Sequence, residues 1–562
     1  MLKRRYVLAL ILALVGSLTL TQRASNNAAA EQSNIKGSVG KLPQASSHTI
    51  TVTPWGPSQE SIDNVKANLP QHPAVQAYLR GTRFRLVSFE LVDKGKINGN
   101  IEPPDSYNAV FFDYTNNRAY SAGGRFDGSD VKVEAVTVQP DPSEEEFNVA
   151  AEIIMKDPKL GPSITDKTLD LYPPMPPLVN DVAPVGKTNR TIAVGIKSGG
   201  GNAPEIVGVD MITETVVRFA TGAPASAIAA VTACGPNSAG QSTTPRGTAG
   251  SFNVVISRNG VEIWNMIVIR PSVSSGTRAS GIEIQNVNYR GQRVLTRGHA
   301  PILNVQYDRN LCGPFRDWSY QEDMFSATGT DAAPGIRLCT SPPATILESG
   351  VDSGNFRGVA VFDNREEVTM ETEMQAGWYR YLMEWTFTDA GVIRPRYGFG
   401  ATNNGCVCNI HTHHVYWRFD FDIGSMGNNA TEFSPAGSAK IEFESMRPRL
   451  FGQDQTWTIK NALGVHSATI IPGPHDQNYD KYGKGDVWIL LNKPSELDDG
   501  INCTTCTTSF IQIDPFMNAE SVFNADLVMW YGAHFNHHDA SNGPAKLIGE
   551  HVVGPDIVLK GY

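Results

Sequence analysis

From Arg190 to Tyr562 the chain has almost no stretch with a helical period. Short segments rich in Val, Ile, Phe, Tyr and Trp recur instead, separated by Gly, Asn and Asp. Apolar residues at every second position fit a pleated strand with one buried face, whereas a helix needs them three and four apart. Strands made this way must bury their apolar faces on another sheet, so the pattern predicts a mainly β fold with a large antiparallel β-sandwich over 190–562. No internal repeat of short period is visible, which disfavours a propeller or a solenoid.

The first half is organised differently. Lys3, Arg4 and Arg5 precede a short apolar run that ends before Ala28, Ala29 and Ala30, the pattern of a cleaved secretory signal over 1–30. The expected location is therefore secreted or periplasmic, with no membrane association after cleavage. Residues 31–70 are rich in Ser, Asn, Pro and Gln and lack an apolar period, so they read as a linker or surface arm. Over 71–175, strand-like segments at 83–91, 108–114, 117–122 and 131–138 precede a helix opened by a capping box at Ser143 and Glu146, which predicts a small α+β (cystatin-like) domain. A Pro-rich linker, 176–189, follows.

The 562 residues are 41% hydrophobic and 19% charged, ordinary values for a globular chain, and the net charge of −10 argues against nucleic acid as a partner. In an exported chain the seven cysteines read first as disulfides. Cys312 and Cys339 are one candidate pair, and Cys406, Cys408, Cys503 and Cys506 could supply two more, leaving Cys234; the spacing alone does not settle the pairing. The CxC and CxxC spacings would suit zinc in another compartment.

Half of the twelve histidines fall in two short segments, His411, His413 and His414 in one and His534, His537 and His538 in the other. On a strand His411 and His413 share a face with Val415, Trp417, Phe419, Phe421 and Ile423 and point inward. His414, Tyr416, Arg418, Asp420 and Asp422 lie on the other face, as in a half-buried strand. Two imidazoles on an apolar face each need a partner, and one divalent metal satisfies both; backbone carbonyls are the competing solution. Imidazole ligation suits copper or zinc. Asp420 and Asp422, with Asp526 as a third carboxylate, suit a hard cation such as calcium, or else form a solvated acidic face balanced by Arg418.

Together, GWYRYLMEW, HTHHVYWRFDFDI, DLVMWYGAHFNHHDA and the closing GPAKLIGEHVVGPDIVLKGY occur in the order of the corresponding segments of the copper amine oxidases, which the chain resembles from about His72 onward. The resemblance implies that Tyr379 is the precursor of topaquinone, that His411, His413 and His537 are copper ligands, and that Tyr307 bonds the quinone. It also implies a calcium site from Asp420, Asp422 and Asp526 with the carbonyls of Phe421 and Leu527. Glu550 and His551 match a pair in the family's final strands. The implied partners are a primary amine, dioxygen and a second copy of the chain, and the implied products are aldehyde, ammonia and hydrogen peroxide.

The departures are specific. Trp378 and Arg380 flank Tyr379 where the family has Asn and an acidic residue, and the family's aspartate segment is missing, so Asp317 is the substitute candidate for the base. The family's disulfide resembles Cys312 with Cys339. A copper- and calcium-binding protein without amine turnover is the competing reading, and a different mononuclear copper or zinc enzyme is a third.

Overall fold

The computed structural model describes residues 47–174, 177–180, 183–198, 205–218, 234–237, 246–307, 315–450, 452–477, 486–501, 511–537 and 552–562. The expected signal (1–30), Cys312, Cys503, Cys506, His538, Glu550 and His551 lie outside these residues. Residues Ser46–Tyr562 form one compact unit.

Strands Phe84–Leu91, Ser106–Asp113, Arg118–Arg125 and Lys132–Val136 make an antiparallel four-stranded sheet. The helix after it, Glu144–Met155, begins at the capping box read from the sequence: Ser143 Oγ accepts from Glu146 N and the Glu146 carboxylate accepts from Ser143 N. Ala150 and Ile154 of this helix share a core with Phe112 of the first sheet and with Val194, Val207 and Val209. Those valines belong to a second four-stranded sheet built from Leu169–Tyr172, Thr191–Ser198, Glu205–Asp210 and Thr215–Val217. The sheet spans the Pro-rich 176–189 segment, so strands just after Arg190 pack on the helix rather than in the large sheets. Burial of Arg190 is compensated by Glu146, whose carboxylate lies 2.6 Å from its guanidinium.

The arm differs from its sequence reading. Thr49–Pro54 is a strand paired antiparallel with Ser251–Arg258, and Gln59–Asn68 is a helix capped by Ser58. The helix escaped notice because Ile62 is its one fully buried residue, too little for an apolar stripe.

Two large sheets carry the rest, one of ten and one of twelve strands among the described residues. Pairing is antiparallel except between Ile336–Cys339 and Val359–Asp363, which run parallel. The sheets meet face to face through aromatic side chains: Trp385 of one stands edge-on to Trp417 of the other, ring centroids 5.4 Å apart at 87°. In the centre of the ten-stranded sheet, His411–Phe421 lies between Gln292–Tyr307 and Leu527–His537. Its second face is buried rather than half-exposed. Ile302, Tyr416, Trp488, Leu490, Ile513 and Trp530 form a further core there, with Ile511, Phe516 and Met517 packed on it.

Candidate active site

Register assembles the site. Across three adjacent strands Tyr307 stands opposite His411, and His411 opposite His537. His413 lies two residues along the same face, so all three imidazoles project between the sheets. One ring nitrogen of each of His411, His413 and His537 lies within 4.8 Å of the others, and all three residues are buried.

The facing sheet contributes Tyr379, at the start of the strand Tyr379–Thr388. Its hydroxyl forms a short hydrogen bond with His411 Nε2, and its ring centroid is 4.7 Å from that of His413. His411 Nδ1 lies 2.6 Å from the carbonyl of Asn409. A carbonyl only accepts, so Nδ1 carries the proton and the Nε2 lone pair of the neutral ring faces Tyr379. A metal would use the same lone pair. Three buried imidazoles converging in this way fit copper as a donor set.

Asp317 is linked to Tyr379 through a neighbour that the sequence did not single out. Tyr381 donates to Asp317 Oδ2 in a short hydrogen bond, and its ring stacks on that of Tyr379 at 5.3 Å and 5°. Asp317 Oδ1 is buried without a hydrogen-bond partner. Burial pushes this carboxyl up to about 7, against the Tyr381 hydrogen bond and the positive charge of Arg278, which lower it.

The residues that depart from the family pattern have defined partners. Trp378 Nε1 donates to the Tyr307 hydroxyl at 3.1 Å, and the Tyr307 ring stacks on His411 at 4.7 Å. Arg380 is buried, with Nε 2.6 Å from Asp323 and 2.7 Å from Asp352. Asp323, Asp352 and Glu373 come together as a carboxylate group, and the Arg380 guanidinium is the cation paired with two of them. On the opposite face, His414 Nδ1 lies 2.9 Å from His534 Nδ1, and His534 Nε2 lies 2.9 Å from Asp486. These two histidines are thus held apart from His411, His413 and His537.

The cysteine reading is corrected. Cys234, left over in the sequence reading, is bonded to Cys408, 174 residues away, while Cys339 is a free thiol and so is not paired with Cys312. Close approach of Cys234 to Asn404, through a backbone pair with the turn ahead of His411, makes the first link. Cys406 is also in a disulfide. At the expected calcium site, Asp420, Asp422 and Asp526 do converge, but the ammonium of Lys96 stands among them, 2.6–3.0 Å from all three.

No family model matches the chain, and no curated protein matches it. Solved structures do. A copper-containing benzylamine oxidase from Hansenula polymorpha matches over 90% of this chain and 98% of its own, with TM-score 0.55 and 12% identity. The lysyl oxidase PPLO of Pichia pastoris (TM-score 0.51, 11% identity) and an amine oxidase of Aspergillus nidulans (TM-score 0.51, 12% identity) each match over 91% of this chain and 90% of their own. The chain therefore has a divergent copper amine oxidase-like fold.

Proposed function

We propose that this chain is a copper-dependent oxidase of primary amines in which Tyr379 is the precursor of topaquinone. The observation that carries the reading is the Tyr379 hydroxyl set against His411 Nε2 inside a cluster of three buried imidazoles. Copper held by His411, His413 and His537 would supply dioxygen activation, and the quinone made from Tyr379 would supply the electron sink that turns amine, dioxygen and water into aldehyde, ammonia and hydrogen peroxide.

The other tasks fall to side chains in place. Asp317 takes the proton from the α-carbon of the amine, with Oδ2 oriented by Tyr381 and Oδ1 as the receiving atom. Trp378 holds the Tyr307 hydroxyl, and the Tyr307 ring braces His411. Asp317, Tyr379 and Tyr381 are all buried, which keeps bulk water from the exchange of that proton. Export of the chain is part of the proposal, and the oxidised Cys234–Cys408 pair supports it.

The test is copper loading of the purified chain in air. We expect a pink protein whose Tyr379 peptide reacts with phenylhydrazine, and a Tyr379→Phe variant that binds copper and stays colourless. A copper-loaded wild-type protein with an unmodified Tyr379 peptide by mass spectrometry overturns the reading and leaves a copper-binding protein of the same fold.

A further inference from the structure

The hairpin Lys96–Ile97 and Asn100–Ile101 extends from the N-terminal sheet to the far end of the histidine strand. It is fastened there by several hydrogen bonds. Arg293 donates to the Gly99 carbonyl (2.9 Å) and to Asn100 Oδ1 (2.8 Å), and the Asn286 amide exchanges two bonds with the backbone of Ile101 (2.8 and 3.1 Å). This docking places the Lys96 ammonium among Asp420 (3.0 Å), Asp422 (2.9 Å) and Asp526 (2.6 Å), with the lysine side chain 7% exposed.

An ammonium has three N–H donors, and here each has a carboxylate. The other carboxylate oxygens are also engaged. Asn492 Nδ2 donates to Asp420 Oδ2 at 3.0 Å and lies 3.3 Å from both oxygens of Asp526, and the Thr296 hydroxyl donates to Asp422 Oδ2. The Phe421 carbonyl, expected as a calcium ligand, accepts from Asn428 Nδ2 at 3.3 Å. Calcium requires six to eight oxygens at about 2.3–2.6 Å. It would have to displace the ammonium from the centre of this cluster and leave Lys96 buried beside a second cation.

We propose that Lys96 is a built-in cation that replaces calcium at this cluster and closes the end of the sandwich without a metal. The same contact joins the N-terminal domain to the catalytic sheet through a covalent part of the chain. Lys96 takes a charged form more firmly than a free lysine, because the three carboxylates outweigh the burial that opposes it.

Full-length protein dialysed against EGTA, wild type and Lys96→Met, is compared with and without added calcium by thermal unfolding and by calcium content. The expected wild-type midpoint is the same in EGTA and in calcium, with no calcium retained. Lys96→Met unfolds on the order of 5 °C lower, because two buried carboxylates and a third, half-buried one lose their counter-charge, and calcium restores it. A wild-type chain that retains calcium, lost on Asp420→Asn, overturns the proposal, as does a folded Lys96→Met protein indifferent to calcium. If Lys96→Met does not fold, the wild-type comparison decides alone. Because both readouts are stability and metal content, the outcome is independent of the chemistry at Tyr379.

Discussion

Asp317 is one residue on which the chemistry turns. With its carboxyl held near 7 by burial, it is protonated at acid pH and gains the basic form as pH rises through that value. Amine turnover is expected to rise along that limb, and Asp317→Asn should lower kcat by on the order of 10²-fold or more and remove the limb from the pH–rate profile. Stability runs the other way. A carboxyl whose folded value lies above its unfolded value of about 4 favours the folded state when protonated, so its contribution is present at low pH and is lost as pH rises from about 4 to about 7. Denaturant midpoints of wild type and Asp317→Asn across that range check this: the difference between them should shift over that interval and be flat beyond it. Asp317 was reachable from the sequence as a candidate, but Tyr381, which connects it to Tyr379, was one tyrosine in an aromatic row.

At the scale of elements, the strand that opens with Tyr379 is anchored by a neighbouring charge. Arg380 binds Asp323 and Asp352 from segments before and beyond the Ile336–Cys339 strand. Removing one partner of a buried ion pair typically costs about 3–5 kcal/mol, so Arg380→Ala should lose stability of that order in urea unfolding. The His411 strand has a different anchor. Cys408 precedes His411 by three residues, and Asn409, whose carbonyl fixes the His411 tautomer, lies between them. Mild reduction, or Cys234→Ser, is therefore expected to lower stability by about 2–5 kcal/mol and to weaken copper retention in equilibrium dialysis. The capping box at Ser143 was legible because it is local. The partner of Cys408 was not, since it is set by where a turn distant in sequence comes to rest.

For the whole molecule, two sheets hold the site between them, one bearing the histidines and the other Tyr379. Their separation is set by aromatic packing, with Trp385 against Trp417 in the middle. Trp385→Ala should cost about 3–5 kcal/mol, as such deletions do in tight cores, and should broaden the copper-binding transition by loosening the distance between Tyr379 and His411. Unfolding in denaturant with and without copper measures both effects. Copper itself should raise the midpoint of wild type, by about 2.7 kcal/mol at a free concentration one hundred times Kd, and leave that of His411→Ala unchanged.

The sequence by itself determined what depends on near neighbours and on periodicity. Alternation specified strands and hence a sandwich, the Ser143–Glu146 spacing specified a helix start, and the face shared by His411 and His413 specified an inward pair. The order of the motifs pointed to His537 and Tyr379. Tertiary structure alone decided contacts between positions far apart in the chain, because their partners are chosen by register and docking rather than by spacing. It set His537 opposite His411, Tyr381 between Asp317 and Tyr379, Arg380 among remote carboxylates, Cys234 beside Cys408, and Lys96, more than three hundred residues from Asp420, at the centre of a cluster that its sequence neighbours do not foreshadow.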